Sequence, residues 1–346
     1  MQLYLDSYGA WLSVRDGMFN VRLRSGGEHR FAVRQVSVIL MTKGTAMSAD
    51  AALLATQHDI PVLLINANTH FPEAILSGVW PGSIAAIRRA QARYSESAEG
   101  HAFIAGILAE KIKRQSDFLE ILSARTDIAD KLRERLPDIL LLLRGAIKNF
   151  EQWKMPAAWN GEQMAKVRER FRGWEGTASR IYFSAIQEAV SEKWQFPGRQ
   201  KRPSFDVLNA LMNYLYGILY TNVHLAILKC GLDPHMAILH ADQYGERPTL
   251  VYDLIEPYRP WADAVALELI QFLENQMDPS EAAAVWFEPD PETEAGLWLS
   301  FAGKDKVISS MRAYLETPTL YAGRQIRRGV QIDLEVQQLA VLLKNY

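Results

Sequence analysis

From Met1 to about Met41 apolar and polar residues alternate with period two, as in Phe19-Asn20-Val21-Arg22-Leu23 and Phe31-Ala32-Val33-Arg34-Gln35-Val36. Alternation sends successive side chains to opposite faces, so this stretch predicts short antiparallel strands, with turns at Arg15-Asp16-Gly17 and Ser25-Gly26-Gly27. Residues 48–58 predict a short helix capped by Ser48 or Asp50, and Ile60 to Ile65 another strand. A small β-rich unit therefore ends near Gly78. Val79-Trp80-Pro81-Gly82-Ser83 is a breaker, and beyond it the apolar spacing becomes helical. The spacing predicts helices over 84–96, 100–123, 128–153, 161–193, 204–230, 260–275, 303–315 and 331–344, with Pro137 inside the third as a break or kink. The fold class is α+β, predominantly α: a small N-terminal β-rich domain over 1–80, then a large all-helical C-terminal domain over 81–346. No repeat of solenoid length is present.

Composition narrows the class. At 346 residues, 49% hydrophobic and 23% charged, the chain is long enough for two domains and is neither disordered nor membrane-like. Its richest apolar run, Ile139 to Leu143, is far too short to span a bilayer, and the N-terminus lacks the pattern of a secretory signal, so a cytoplasmic protein is expected. The single cysteine, Cys230, excludes an internal disulfide and a cysteine-rich zinc site, and its apolar neighbours predict a buried structural thiol. A formal charge of -2 does not advertise nucleic-acid binding, but net charge averages over faces. Positive charge is concentrated in the loop from Gln195 to Pro203, which reads either as a phosphate contact or as a solvated connector. Lys111, Lys113, Arg114, Arg88 and Arg89 read individually as helix-surface residues.

Chemistry gathers in GLDPHMAILHADQYGERPTLVYDLIEPYRP, residues 231–260. His240 follows an apolar run, and Asp253 and Glu256 follow the strand-like Thr249 to Tyr252, the turn between lying at Gly245 and Pro248. Carboxylates at the ends of apolar segments must be paired, metal-bound or solvated. If Asp253 and Glu256 open a helical turn, their spacing puts both on one side. Two readings stand on these residues: a divalent-metal site, or helix-start charges with a structural histidine. Glu175, set between Gly173 and Gly176 in a helical segment, is the best further acid, since helical glycines signal close packing or access; a helix-surface glutamate is the alternative. One imidazole with carboxylates suits Mg2+ or Mn2+ better than structural zinc, and phosphoryl transfer fits such ions. The chain has no Walker loop, GxGxxG, HExxH or GxSxG.

Read together, EGTASRIYF at 175–183, NALMNYLYGILYTNV at 209–223, GLDPHMAILH at 231–240 and LVYDLIEPYRP at 250–260 resemble the CRISPR-associated Cas-one family (Cas1), the integrase of spacer acquisition. The order and separation of these motifs fit, as do the domain layout and Pro81-Gly82 ahead of Arg88-Arg89-Ala90-Gln91. The resemblance implies Glu175, His240 and Glu256 as the ligands of Mg2+ or Mn2+, with Asp253 beside the metal supporting activity. Arg180, Asn209 and Tyr216 fall in matched motifs and are expected to order the helices and the DNA path. Ala237 stands where the family often has glycine. The resemblance further implies an endonuclease and integrase that inserts short foreign DNA fragments at repeat ends of a CRISPR array. It implies double-stranded DNA as partner, a homodimer formed through the β-rich domains, the smaller Cas-two protein (Cas2) in the integration complex, and no membrane. A general branched-DNA nuclease and a non-enzymatic DNA scaffold are the competing readings.

Overall fold

The computed structural model describes residues 1–66, 72–76, 84–125, 130–201, 203–241, 247–289 and 296–346. The breaker at 79–83 and the turn at Gly245 lie outside them. The chain forms two compact units, Met1–Ile84 and Ala85–Tyr346.

The first unit carries β1 (Gln2–Leu5), β2 (Trp11–Arg15), β3 (Met18–Arg22), β4 (Glu28–Phe31), β5 (Val38–Met41), β6 (Ala46–Met47), α1 (Ala49–Gln57), β7 (Val62–Ile65) and β8 (Pro72–Leu76). β2, β3 and β4 form the expected antiparallel meander. Asp16 and Gly17, both at positive φ, make the two-residue turn between β2 and β3. β1, by contrast, pairs in parallel with β5, and β5 in parallel with β7, in the sheet order β1-β5-β7-β8. Alternation reveals a strand but not its partner: the intervening meander returns the chain so that β5 runs with β1. All four residues of β5 are buried, as befits a central strand. Leu3, Leu12, Phe19, Ile39, Val62, Ala51 and Ala55 join both sheets and α1 in one core. Ser48 caps α1, accepting from Ala51 N at 3.2 Å.

The second unit contains α2 (Ile84–Ser95), α3 (Ala98–Ser123), α4 (Asp130–Glu151), α5 (Gly161–Ala189), α6 (Val207–Lys229), α7 (Thr249–Leu254), α8 (Arg259–Glu274), α9 (Pro279–Trp286), α10 (Phe301–Glu316) and α11 (Arg328–Lys344). Eight of these follow the predicted spans closely. α4 runs through Pro137 without a break. α6 is apolar nearly all round and is accordingly buried, packed by α8, α10 and α11. The α+β class with helix predominating is the one the pattern predicts. Two short ribbons are additions to the helical unit: β9 (Phe287–Pro289) with β10 (Leu297–Leu299), and β11 (Pro318–Tyr321) with β12 (Arg324–Arg327). β9 and β10 have only three residues each, and Pro-Thr-Leu-Tyr and Arg-Gln-Ile-Arg carry no sustained alternation of apolar and polar residues, so neither ribbon stands out from the helices around it. No helix among the described residues is long and apolar enough to cross a membrane.

The strand expected over Thr249 to Tyr252 is instead part of α7, a helix of six residues or about 1.7 turns. Its β-branched and aromatic residues suggest strand, but packing against α6 overrides propensity.

Candidate metal and DNA-processing centre

α3 is capped by Ser97, whose hydroxyl accepts from Gly100 N at 2.9 Å, and buries a stripe through Ile104, Leu108, Ile112, Gln115, Leu119 and Leu122. Lys111 lies on that stripe and is only 5% exposed, so the helix-surface reading of this lysine is wrong. A buried ammonium must be paired. Glu175 of α5 accepts a hydrogen bond from Lys111 Nζ, and Glu256 Oε2 lies 2.6 Å from the same atom. Two carboxylates from different elements thus converge on one cation. Glu175 also accepts from Ser179 Oγ at 2.6 Å.

Glu256 opens the 3-10 turn Glu256–Tyr258 between α7 and α8, and its Oε1 accepts from Arg259 Nε at 3.0 Å. Its Oε2 makes the ion contact yet takes no aligned hydrogen bond, although buried. Burial alone would raise the carboxyl; Arg259 and Lys111 outweigh it and hold the group down to about 2. Burial likewise works to lower Lys111, but Glu256 and Glu175 together raise it.

His240 sits in the loop after α6. That helix ends at Gly231, at φ 72°, with Gly231 N bonded to Leu228 O and Leu232 N to Ile227 O, a Schellman closure. Asp253, near the end of α7 and 1% exposed, accepts from the backbone N–H of Ile238 at 2.7 Å, Leu239 at 3.0 Å and His240 at 3.2 Å. Its Oδ1 also receives His240 Nδ1 at 2.7 Å, which places the lone pair of the neutral ring on Nε2. Asp253 therefore anchors the loop and orients the imidazole. Asp253 and Glu256 do not share the first turn of one helix: one is near a helix's end, the other begins a 3-10 turn. Arg172 Nη1 donates to Leu239 O at 3.2 Å, and the Gln91 amide binds Asp233 and Met236, so α5 and α2 also hold this loop.

Behind Glu256, the Arg259 guanidinium stacks on Tyr216, 4.9 Å from the ring centroid, and Arg199 stacks on the same ring at 4.9 Å. Tyr216 donates to Asp263 Oδ1 at 2.6 Å and Tyr182 to Asp263 Oδ2 at 3.0 Å. Burial pushes Asp263 up to about 6, against the two hydroxyl bonds and the charges of Arg199 and Arg259. Asn209 is fully buried, bonding Gly198 O, Gln200 N, Asp206 and Arg199, and so fixes the basic loop to α6. Arg199 is a structural tie there, while Arg180 is exposed and bonds Thr177. Cys230 is half-buried, and burial raises its thiol, the opposite of an activated nucleophile.

The sequence reading missed Lys111, Arg172, Arg259 and Asp263 in these roles. For Lys111 a signal existed: a charge on the apolar stripe of α3. Glu175, Glu256 and His240 do not by themselves form a three-donor cage: among the described residues no group of three His, Cys, Asp or Glu side chains is arranged to hold a metal ion. The ammonium of Lys111 stands between the two acids instead.

The family profile for CRISPR associated protein Cas1 matches residues 3–312. The chain belongs to the Cas1 family. The CRISPR-associated endonuclease Cas1 1 of Archaeoglobus fulgidus is 25% identical over 352 residues, covering all of this chain and 97% of that protein. Two solved structures share the fold of this Cas1. One is a casposase bound to its integration product, TM-score 0.74 at 20% identity, covering 99% of this chain and 90% of the other. The other is a Cas6-RT-Cas1–Cas2 complex, TM-score 0.75 at 18% identity, covering all of this chain and 35% of that one.

Proposed function

We propose that this Cas1 is the endonuclease and integrase of CRISPR adaptation, joining short foreign DNA fragments to the repeat ends of a CRISPR array by metal-dependent transesterification. The observation that carries the reading is the convergence of Glu175 and Glu256, from separate elements, on one buried cation. That ammonium is a stand-in charge between two hard carboxylate groups, and with the His240 imidazole as a further donor the set would fit Mg2+ or Mn2+. Glu175, Glu256 and His240 Nε2 would hold the ion. Bound there, it would activate the fragment's 3′-hydroxyl and neutralise charge on the attacked phosphodiester.

The protein's own groups prepare this chemistry. Asp253 keeps the imidazole in one orientation, and Arg259 and Lys111 keep Glu256 ionised. Gly173 and Gly176 leave the face of α5 beside Glu175 open: a Cβ at either would meet nothing within 4 Å. Of the two readings of this glycine pair, access to the acid is therefore favoured over close packing. The family relationship and the Cas2-containing and product-bound neighbours support DNA and Cas2 as partners; a homodimer through the β-rich unit is part of the same proposal.

A strand-transfer assay with a fragment duplex and a repeat-containing target tests the proposal. The wild type should form joined product with Mg2+ or Mn2+, and Glu175→Ala or Glu256→Ala should lose it by about a hundredfold or more while still binding DNA. Cleavage without joined product would leave a branched-DNA nuclease. Undiminished joining by a folded Glu175→Ala protein would remove the assigned centre.

A further inference from the structure

Resting on that metal reading, we propose that Lys111 is the built-in counter-cation of the centre and competes with the divalent ion, so that metal entry expels its ammonium from between Glu175 and Glu256. The ammonium bonds Glu175 and contacts Glu256 in a gap where it is itself nearly inaccessible. Glu175 and Glu256 carry two negative charges and Lys111 and Arg259 two positive ones, so these four side chains balance; Asp253 adds one further carboxylate, already engaged by His240 and three backbone N–H groups. A dication added beside both cations would leave a surplus of positive charge next to the buried Lys111 and Glu256, where repulsion is poorly screened. One cation must move.

Lys111 is the one able to. Arg259 is held through Nε to Glu256 and stacked on Tyr216, whereas Lys111 is a point charge on a flexible four-carbon stem. The same placement accounts for the incomplete cage: the ammonium occupies the point on which the two acids converge, and the three donors do not close around it. Without any cation, two facing carboxylates would repel, so the lysine keeps the centre assembled until the metal arrives.

The test uses the full chain. Lysine footprinting with an N-hydroxysuccinimide ester, read by mass spectrometry, should find Lys111 protected without metal and labelled about tenfold faster at saturating Mg2+, with exposed Lys113 as internal standard. In calorimetric titration with Mn2+, Lys111→Met should bind about tenfold more tightly than the wild type and gain more in melting temperature on metal addition. An unmoved footprint in wild-type protein that does bind Mn2+ overturns the proposal, however the variant behaves, and leaves the metal reading standing. Equal or weaker Mn2+ binding by a folded Lys111→Met does the same. Failure of the wild type to bind Mn2+ at all removes the metal reading itself.

Discussion

At the scale of single residues, two buried acids show how environment divides one chemistry into two behaviours. Glu256 is surrounded by cations and held ionised; Asp263 is surrounded by hydroxyls and burial wins. Arg259→Ala removes one partner of a buried ion pair and should cost about 3 kcal/mol in urea unfolding at neutral pH, with Arg259→Lys costing less. Asp263 gives a pH signature. Its folded-state value of about 6 exceeds the 3.8 of the unfolded chain, so the native state binds the extra proton between those values. The stabilisation is present in full below pH 3.8 and is lost as pH rises through about 6, amounting to about 2–3 kcal/mol. The stability of Asp263→Asn relative to wild type should therefore rise from about pH 4 to about pH 6 and then level off, measured by urea midpoints across pH. Glu256 works in the opposite sense and a lower window: its stabilisation is complete above 4.5 and lost as pH falls through about 2.

At the scale of elements, the centre is built from four: α3 brings the cation, α5 an acid, the loop after α6 the imidazole, and α7 with its 3-10 extension the remaining acids. α5 carries a defect against its own propensity, two glycines in a helix interior with open space outside them. Gly173→Ala with Gly176→Ala should stabilise α5 by about 1–2 kcal/mol in total, seen as a higher melting temperature. If DNA passes this face, the same variant should bind and join DNA less well. A protein that melts higher with unchanged DNA affinity would take this face out of the DNA path. The elements themselves were largely legible, because long helices repeat their apolar stripe many times and average out exceptions. α7 was not, since six residues rich in Val, Tyr and Thr carry a strand's local preference and only their packing on α6 makes them helical.

At the scale of the whole molecule, the chain divides into a two-sheet unit and a helical unit, and the assigned centre lies entirely in the second. Sequence by itself determined the α+β class, the change of period near residue 80, eight of the helices, and the motifs that place the chain beside Cas1. Periodicity reports which face of an element is buried, and a linear motif reports which residues a family reuses. Neither reports partners. The parallel pairing of β1 with β5, the burial of Lys111 between Glu175 and Glu256, and Asp253's grip on three backbone N–H groups join residues distant along the chain. Such pairings depend on the direction in which each element enters the core and on the need of every buried charge for an opposite one, conditions that only the assembled tertiary structure decides.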